Sequence, residues 1–221
     1  MNTSIKWCVM VLALDELPHT KYAKSILEDY FKSNNIEYKF IETIPQDIEL
    51  KDAHPSWYKL LAHKILPDYD FILCWDLDLL PKNRYVTFVN EINFNKLNMV
   101  WDTSAKIGPA YRFTPNFKYN GGLIGIPKYM SVFTEFVFNH YAPNLFNWPN
   151  NEVYYLNEMI THNNNLFDVH ELSDDLNYIY GHAKFNDARL QHYTHNLLDN
   201  VHTHYDKYFN LGTKFVLQQW Q

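Results

Sequence analysis

The apolar positions of the chain alternate between short unbroken runs and helical stripes, which is the pattern of a sheet covered by helices. Residues 5–14 form a continuous apolar run typical of a strand buried on both faces. A stripe of apolar residues at helical spacing follows and predicts a helix that ends near residue 35. Residues 36–44 alternate as a strand does, and residues 56–66 predict a second helix between two prolines.

A third strand at residues 71–75 completes an alternation of strands and helices. This order predicts an α/β fold with a Rossmann-like, mainly parallel sheet flanked by helices. Further helices are predicted at 85–92, 130–141 and 151–163, and further strands at 97–102 and 119–127. The chain of 221 residues shows no repeat or linker, so residues 1–221 are expected to form a single domain.

Two aspartates, Asp76 and Asp78, directly follow the third strand. Ligands of such sheets bind beyond the carboxyl ends of the strands. In an extended segment both carboxylates project to the same side, where like charges raise each other's pKa unless a cation lies between them. A hard divalent ion such as Mn²⁺ or Mg²⁺ suits this oxygen pair. The alternative is a capped strand end without a metal.

The sequence contains the same spacing of aspartates a second time. Asp68 and Asp70 precede the strand, in a turn marked by a proline, and are expected to be solvated. The pattern alone therefore decides nothing, and the position at the end of the strand favours Asp76 and Asp78.

The charge distribution limits the ligands that such a metal would serve. A net charge of −6 without a Lys/Arg block argues against a nucleic-acid surface. The glycine-rich phosphate loops G-x-x-x-x-G-K-[ST] and G-x-G-x-x-G are missing. A metal on two aspartates can bridge a diphosphate instead and neutralise its charge as a leaving group. A nucleoside-diphosphate sugar fits, with its nucleoside over the end of the first strand, where Asp15 lies.

The cysteines and the first apolar run bear on the compartment. Cys8 and Cys74 both lie in apolar runs, so a disulfide framework is not expected and a reducing compartment is favoured. The first run is far shorter than the roughly 18 residues that span a bilayer, and it lacks a cleavage pattern. We therefore expect no transmembrane segment and a cytoplasmic protein.

Residues 54–83 resemble the segment around the D-x-D motif of GT-A-fold glycosyltransferases. The glycogenin-type and the plant xylosyl- or galactomannan-galactosyltransferase families are the most similar. Residues 119–137 ("YNGGLIGIPKYMSVFTEFV"), 151–160 and 188–196 resemble later family segments in the same order. The short domain also resembles glycosyltransferase domains of large DNA viruses that decorate capsid proteins.

The resemblance implies the GT-A fold and a metal-dependent hexosyl- or pentosyltransferase. Its donor would be a nucleoside-diphosphate sugar, with UDP favoured by family analogy, and its acceptor a hydroxyl of a glycan or glycoprotein. It implies that Asp76 and Asp78 bind the metal and that His192 is the third ligand. The family glycine after this histidine is replaced, and His195 lies close by, so the choice between His192 and His195 stays open.

The remaining family positions surround the donor. Lys59 matches a basic helix position that contacts phosphate or an aspartate, the alternative being a solvated helix face. Asn120 and Gly121 match a turn where the sugar approaches the backbone, or simply open a strand.

Two further carboxylates are candidates for catalysis. Asp102 ends a predicted strand and is expected to bind sugar hydroxyls. Glu152 matches the acidic residue that faces the reacting carbon: a general base in an inverting enzyme, or a stabiliser of the oxocarbenium-like state in a retaining one. Val153 stands where the family has Gln, a departure that bears on this choice.

Two other functions remain open at this point. A sugar-phosphate nucleotidyltransferase has a related sheet but needs a glycine-rich basic loop after the first strand, and residues 13–21 ("ALDELPHTK") are neither. A non-catalytic carbohydrate-binding domain would use the aspartates as a structural metal site.

Overall fold

The computed structural model describes residues 5–14, 19–48, 54–102, 118–142, 151–163, 167–180, 184–193, 200–201 and 203–209. Its strands in chain order are β1 (Trp7–Leu12), β2 (Tyr38–Ile41), β3 (Phe71–Trp75), β4 (Leu79–Pro81), β5 (Leu97–Trp101), β6 (Tyr119–Pro127), β7 (Val169–Leu172), β8 (Tyr178–Ile179) and β9 (Leu190–His192). Its α-helices include α1 (Thr20–Ser33), α2 (Ala62–Ile65), α3 (Ser131–Tyr141) and α4 (Asn151–His162). A 3₁₀ helix, Pro55–Leu61, leads directly into α2.

Six of the described strands form the central sheet in the order β2-β1-β3-β6-β5-β7. β6 runs antiparallel to both of its neighbours, and the other pairs are parallel. The predicted α/β fold with a mixed, mainly parallel sheet is therefore confirmed.

Both faces of the sheet are covered, as the unbroken apolar runs predict. Val9 and Val11 of β1 pack into a core shared with α1, whereas Cys8 and Met10 face the core on the other side of the sheet. All five residues of β3 are buried. The central strands are thus fixed on both sides, and polar side chains gather where these strands end.

The predicted helix at 85–92 is wrong, because only a short 3₁₀ turn, Val89–Glu91, forms there. Carbonyl groups that a helix would use internally are taken by distant side chains. Tyr30 Oη donates to the Val86 carbonyl at 3.0 Å, and Arg189 Nη1 donates to the Thr87 carbonyl at 2.9 Å. These tertiary hydrogen bonds replace the helical ones.

A small second sheet, β4-β9-β8, has no counterpart in the sequence-based prediction. Its register places Leu79 opposite His192. The Tyr193 amide donates to the Asp78 carbonyl at 2.8 Å, which ties the end of β9 to the turn after β3. This sheet brings His192 of β9 next to the residues that follow β3.

No helix within the described ranges combines the length and the apolar character needed to cross a bilayer.

His204 packs against the second sheet, and its burial predicts that the protein loses stability at low pH. His204 is buried, with Nε2 3.0 Å from the Pro81 carbonyl and Nδ1 2.8 Å from Tyr193 Oη. Burial lowers the pKa of His204 from 6.5 to about 4. Between pH 6.5 and pH 4 the unfolded chain binds a proton at this histidine that the folded chain excludes. The free energy of unfolding therefore decreases as the pH is lowered, by about 2 kcal/mol from pH 6.5 to pH 5.

Urea denaturation of the wild type and of His204→Gln at both pH values measures this contribution. The loss of stability on acidification should be about 2 kcal/mol smaller in the variant. Equal losses in the two proteins would assign the acid sensitivity to other groups.

Candidate metal centre

Asp76, Asp78 and His192 converge beyond the carboxyl end of β3, and their ligand atoms all lie within 4.8 Å of one another. His192 Nε2 lies 3.2 Å from Asp78 Oδ1 and 3.8 Å from Asp76 Oδ2. Two carboxylates and one imidazole form a ligand set suited to Mn²⁺ and related divalent ions. The residues present therefore fit the metal that the sequence predicts.

A turn, and not strand alternation, brings the two carboxylates together. β3 ends at Trp75, and the Leu79 amide donates to the Asp76 carbonyl at 3.0 Å, which closes a turn over residues 76–79. Trp75 Nε1 donates to the Leu79 carbonyl at 2.6 Å, and this hydrogen bond stabilises the turn. The expectation of an extended segment at this point is therefore wrong, although the carboxylates still face a common partner.

The charged groups of the cluster shift one another's pKa values. Burial raises the pKa of Asp76, Lys59 opposes this effect, and the nearby Asp78 adds to the rise. Burial alone would lower the pKa of His192, but Asp78 and Asp76 outweigh it and the pKa is raised. Both shifts follow from holding two carboxylates and one imidazole close together away from water.

Lys59 lies beneath the cluster and is only 2% exposed, so it does not lie on a solvated helix face. Its Nζ is 2.6 Å from Asp76 Oδ1, 2.8 Å from the Gly121 carbonyl and 3.4 Å from Glu152 Oε1. Burial favours the neutral amine, yet the carboxylates of Asp76 and Glu152 raise the pKa of Lys59 above its usual value. A charged ammonium thus links Asp76 to Glu152.

Glu152 lies in the first turn of α4 and is buried at 4% exposure. Ser56 Oγ donates to Glu152 Oε2 at 2.7 Å. The residue that caps the 3₁₀ helix Pro55–Leu61 is His54, whose Nδ1 accepts from the Ser56 amide at 3.3 Å. The Ser56 hydroxyl lies 2.8 Å from the same His54 nitrogen and also contacts the Glu152 carboxylate.

The glycines of β6 leave no room for side chains. A Cβ at Gly121 would lie 2.3 Å from Val153 Cγ2, and a Cβ at Gly122 would lie 2.9 Å from His192 Cε1. Val153 is buried and fills the space in front of Gly121. These positions let α4 and His192 pack directly on the backbone of β6.

Asp102 directly follows β5, and Asn120 lies on the neighbouring strand β6. Asp102 is buried just after the end of β5, and Asn120 Nδ2 lies 3.5 Å from Asp102 Oδ2. Asn120 Oδ1 accepts from the Gly122 amide at 2.7 Å, which connects this pair to the strand beneath His192. Asp15 and His195 lie outside the described residues.

Two site residues have no recognisable signal in the sequence. Ser56 contacts Glu152, and Asn177 Oδ1 lies 2.8 Å from His192 Nδ1. Single polar residues of this kind belong to no motif. Only the proximity created by the fold identifies them.

Comparison with known proteins gives similarity in structure only. No protein-family model and no curated protein sequence matches the chain. A glycosyltransferase involved in glycosylation of the major capsid of PBCV-1 is similar with a TM-score of 0.63 at 15% identity, over 89% of this chain and 98% of that one. The galactosyltransferase LgtC, in complex with donor and acceptor sugar analogues, is similar with a TM-score of 0.55 at 12% identity, over 90% and 96%.

A Drosophila β1,4-galactosyltransferase 7 mutant, in complex with manganese, UDP-Gal and xylobiose, is similar with a TM-score of 0.50 at 14% identity, over 87% of this chain and 72% of that one. All three proteins are glycosyltransferases, and each is matched over most of its length. The chain therefore has the GT-A glycosyltransferase fold.

Proposed function

We propose that the protein is a metal-dependent glycosyltransferase that transfers a sugar from a UDP-sugar to a hydroxyl of a glycan or glycoprotein. The observation that carries this proposal is the cluster of Asp76, Asp78 and His192 at the carboxyl end of β3, in a fold shared with glycosyltransferases. The complexes of LgtC with sugar analogues and of the Drosophila enzyme with manganese and UDP-Gal support the choice of donor and metal.

The residues of the cluster divide the work of holding the donor. A divalent cation such as Mn²⁺, held by Asp76, Asp78 and His192, supplies the positive charge that stabilises a diphosphate leaving group. Lys59 engages Asp76 Oδ1, so that Oδ2 faces His192. Asp102 and Asn120, paired on adjacent strands, bind sugar hydroxyls in this proposal.

Glu152 is the proposed catalytic carboxylate. The Ser56 hydroxyl fixes one of its oxygens, and the Lys59 ammonium lies near the other. A carboxylate held in this way either accepts the proton of the acceptor hydroxyl, in an inverting reaction, or stabilises positive charge on the reacting carbon, in a retaining one. Val153 takes no polar part in either scheme, because it packs against Gly121.

The two thiols support a reducing compartment, and we propose the cytoplasm. Cys8 and Cys74 are both free and buried. Burial raises the pKa of Cys8 to about 12 and also raises that of Cys74. Both side chains are therefore uncharged and unreactive parts of the core.

The proposal is tested with purified protein and a panel of UDP- and GDP-sugars, with and without Mn²⁺. A UDP-sugar should raise the unfolding temperature only when Mn²⁺ is present, because a ligand that binds the folded state stabilises it. The same mixture should slowly release UDP by hydrolysis. Binding without any hydrolysis or transfer would indicate a carbohydrate-binding domain, and no Mn²⁺-dependent binding would contradict the proposal altogether.

Glu152→Gln should lower the rate of transfer about 100-fold and leave the donor affinity within about threefold. Glutamine keeps an oxygen for Ser56 but removes the negative charge. Initial rates and donor Kd are measured on the same samples, with Glu158→Gln as the control, since Glu158 pairs with His162 farther along α4. Unchanged turnover in Glu152→Gln would remove this carboxylate from the mechanism.

A further inference from the structure

Asn177 lies behind the metal centre and is fully buried, with 0% of its surface exposed. Its Oδ1 lies 2.8 Å from Nδ1 of His192. An amide oxygen can only accept a hydrogen bond, so this contact requires that His192 Nδ1 carries a hydrogen. In the neutral imidazole the lone pair then lies on Nε2, the atom that faces Asp78 at 3.2 Å.

We propose that Asn177 is a positioning residue that fixes the tautomer and the ring orientation of His192 for metal binding. The inference rests on the metal site of the proposed function. A ligating histidine needs a partner on its second nitrogen, because this partner keeps the lone pair on the ligating atom and prevents rotation of the ring.

The backbone around Asn177 holds it firmly in place. The backbone N–H of Asn177 donates to the Asp174 carbonyl at 3.2 Å, which closes the 3₁₀ turn Asp174–Leu176. The next residues form β8, where Ile179 pairs with His192 of β9. The distance between the side-chain amide of Asn177 and the imidazole of His192 is therefore set by the paired strands β8 and β9 and not by a free loop.

Gly122 closes the pair from the other side. A Cβ at this position would lie 3.0 Å from Asn177 Oδ1 and 3.0 Å from His192 Nδ1. The backbone of β6 therefore packs against the hydrogen bond itself. A side chain at position 122 would therefore push Asn177 and His192 out of this arrangement.

The side-chain nitrogen of Asn177 bears on why an asparagine occupies this position. Nδ2 is buried and has no hydrogen-bond partner among the described residues. Leaving a buried polar group unpaired is unfavourable, and an apolar residue of similar size would avoid this cost. The hydrogen bond between Asn177 Oδ1 and His192 gives a reason for an asparagine at this position in spite of the cost of the unpaired Nδ2.

The test measures Mn²⁺ binding to the full chain by the electron paramagnetic resonance signal of the free ion, without a sugar or an assay of activity. Asn177→Leu and Asn177→Ala remove the acceptor, so failure of one variant to fold leaves the other. Both should raise the Kd for Mn²⁺ by at least about tenfold. Asn177→Asp restores an acceptor for Nδ1 and should stay within about threefold of the wild type.

A double-mutant cycle with His192→Ala separates positioning from a general effect on the fold. Once His192 is absent, Asn177→Leu should change the Kd for Mn²⁺ by less than about threefold, because the two residues act through one contact. A similar loss in both backgrounds would overturn the inference. So would a loss below tenfold in the Leu and Ala variants, or an Asp variant as weak as the Leu variant.

The wild-type protein distinguishes this inference from the proposed function. If the wild type binds Mn²⁺ and a UDP-sugar and the Asn177 variants do so equally well, only the role of Asn177 is refuted. If the wild type binds no Mn²⁺, the metal site and the role of Asn177 are refuted together.

Discussion

Replacement of Asp78 by alanine is expected to abolish Mn²⁺-dependent binding of a UDP-sugar while the fold stays intact. Loss of a negatively charged ligand such as Asp78 should weaken Mn²⁺ on the order of 1000-fold, more than the roughly 10- to 100-fold caused by loss of an outer partner. The fold should tolerate the change because the bond from the Tyr193 amide uses the Asp78 backbone carbonyl. Truncation of the side chain leaves that bond in place.

The chain offers a matched control for this variant. Asp68 belongs to an identical D-x-D pattern but is exposed before the start of β3. Calorimetric titration with Mn²⁺ and UDP should therefore show no change for Asp68→Ala and no measurable Mn²⁺-dependent binding for Asp78→Ala. Undiminished metal dependence in Asp78→Ala would mean that the cluster of Asp76, Asp78 and His192 is not the metal site.

The comparison of the two aspartate pairs shows what the sequence alone can predict. Asp68 and Asp70 are exposed, as expected for a turn, whereas Asp76 and Asp78 are partly buried next to His192. The strand between the pairs has a five-residue apolar run that is easily recognised, and its direction in a parallel sheet determines which pair lies at the site. The distinction is therefore available from local pattern and topology.

The partner of these aspartates is not predictable in the same way. His192 reaches Asp78 through β4, β8 and β9, which have only two or three residues each. Strands that short carry no usable alternation, so their pairing is decided by tertiary packing. For the same reason the sequence favours His192 only by resemblance and leaves His195 as a competitor, and it gives no sign of Ser56 or Asn177.

Lys59→Met is expected to lower stability and to raise Mn²⁺ affinity at the same time. In the metal-free protein the variant leaves Asp76 and Glu152 without their shared cation. Removal of one partner from a buried ion pair costs about 3 to 5 kcal/mol, and the partial exposure of Asp76 favours the lower end of that range. We therefore expect a loss of about 3 kcal/mol in the free energy of unfolding.

The expected gain in affinity has an electrostatic origin. Lys59 is a positive charge that contacts the same carboxylate that binds the metal, with Nζ 2.6 Å from Asp76 Oδ1. Its removal makes the site more negative and frees both oxygens of Asp76, which should strengthen Mn²⁺ binding about tenfold. Asp76 keeps its place because its amide donates to the Gly122 carbonyl at 2.9 Å.

Urea denaturation without metal and Mn²⁺ titration of the folded variant measure the two effects separately. Lys64→Met is the control, since Lys64 pairs with Glu135 on the surface and its loss should change stability by less than about 1 kcal/mol. Opposite changes in stability and affinity for Lys59→Met would show that Lys59 substitutes for the cation while the site is empty. If Mn²⁺ binding weakened together with stability, Lys59 would instead be needed to hold Asp76 in its ligating position.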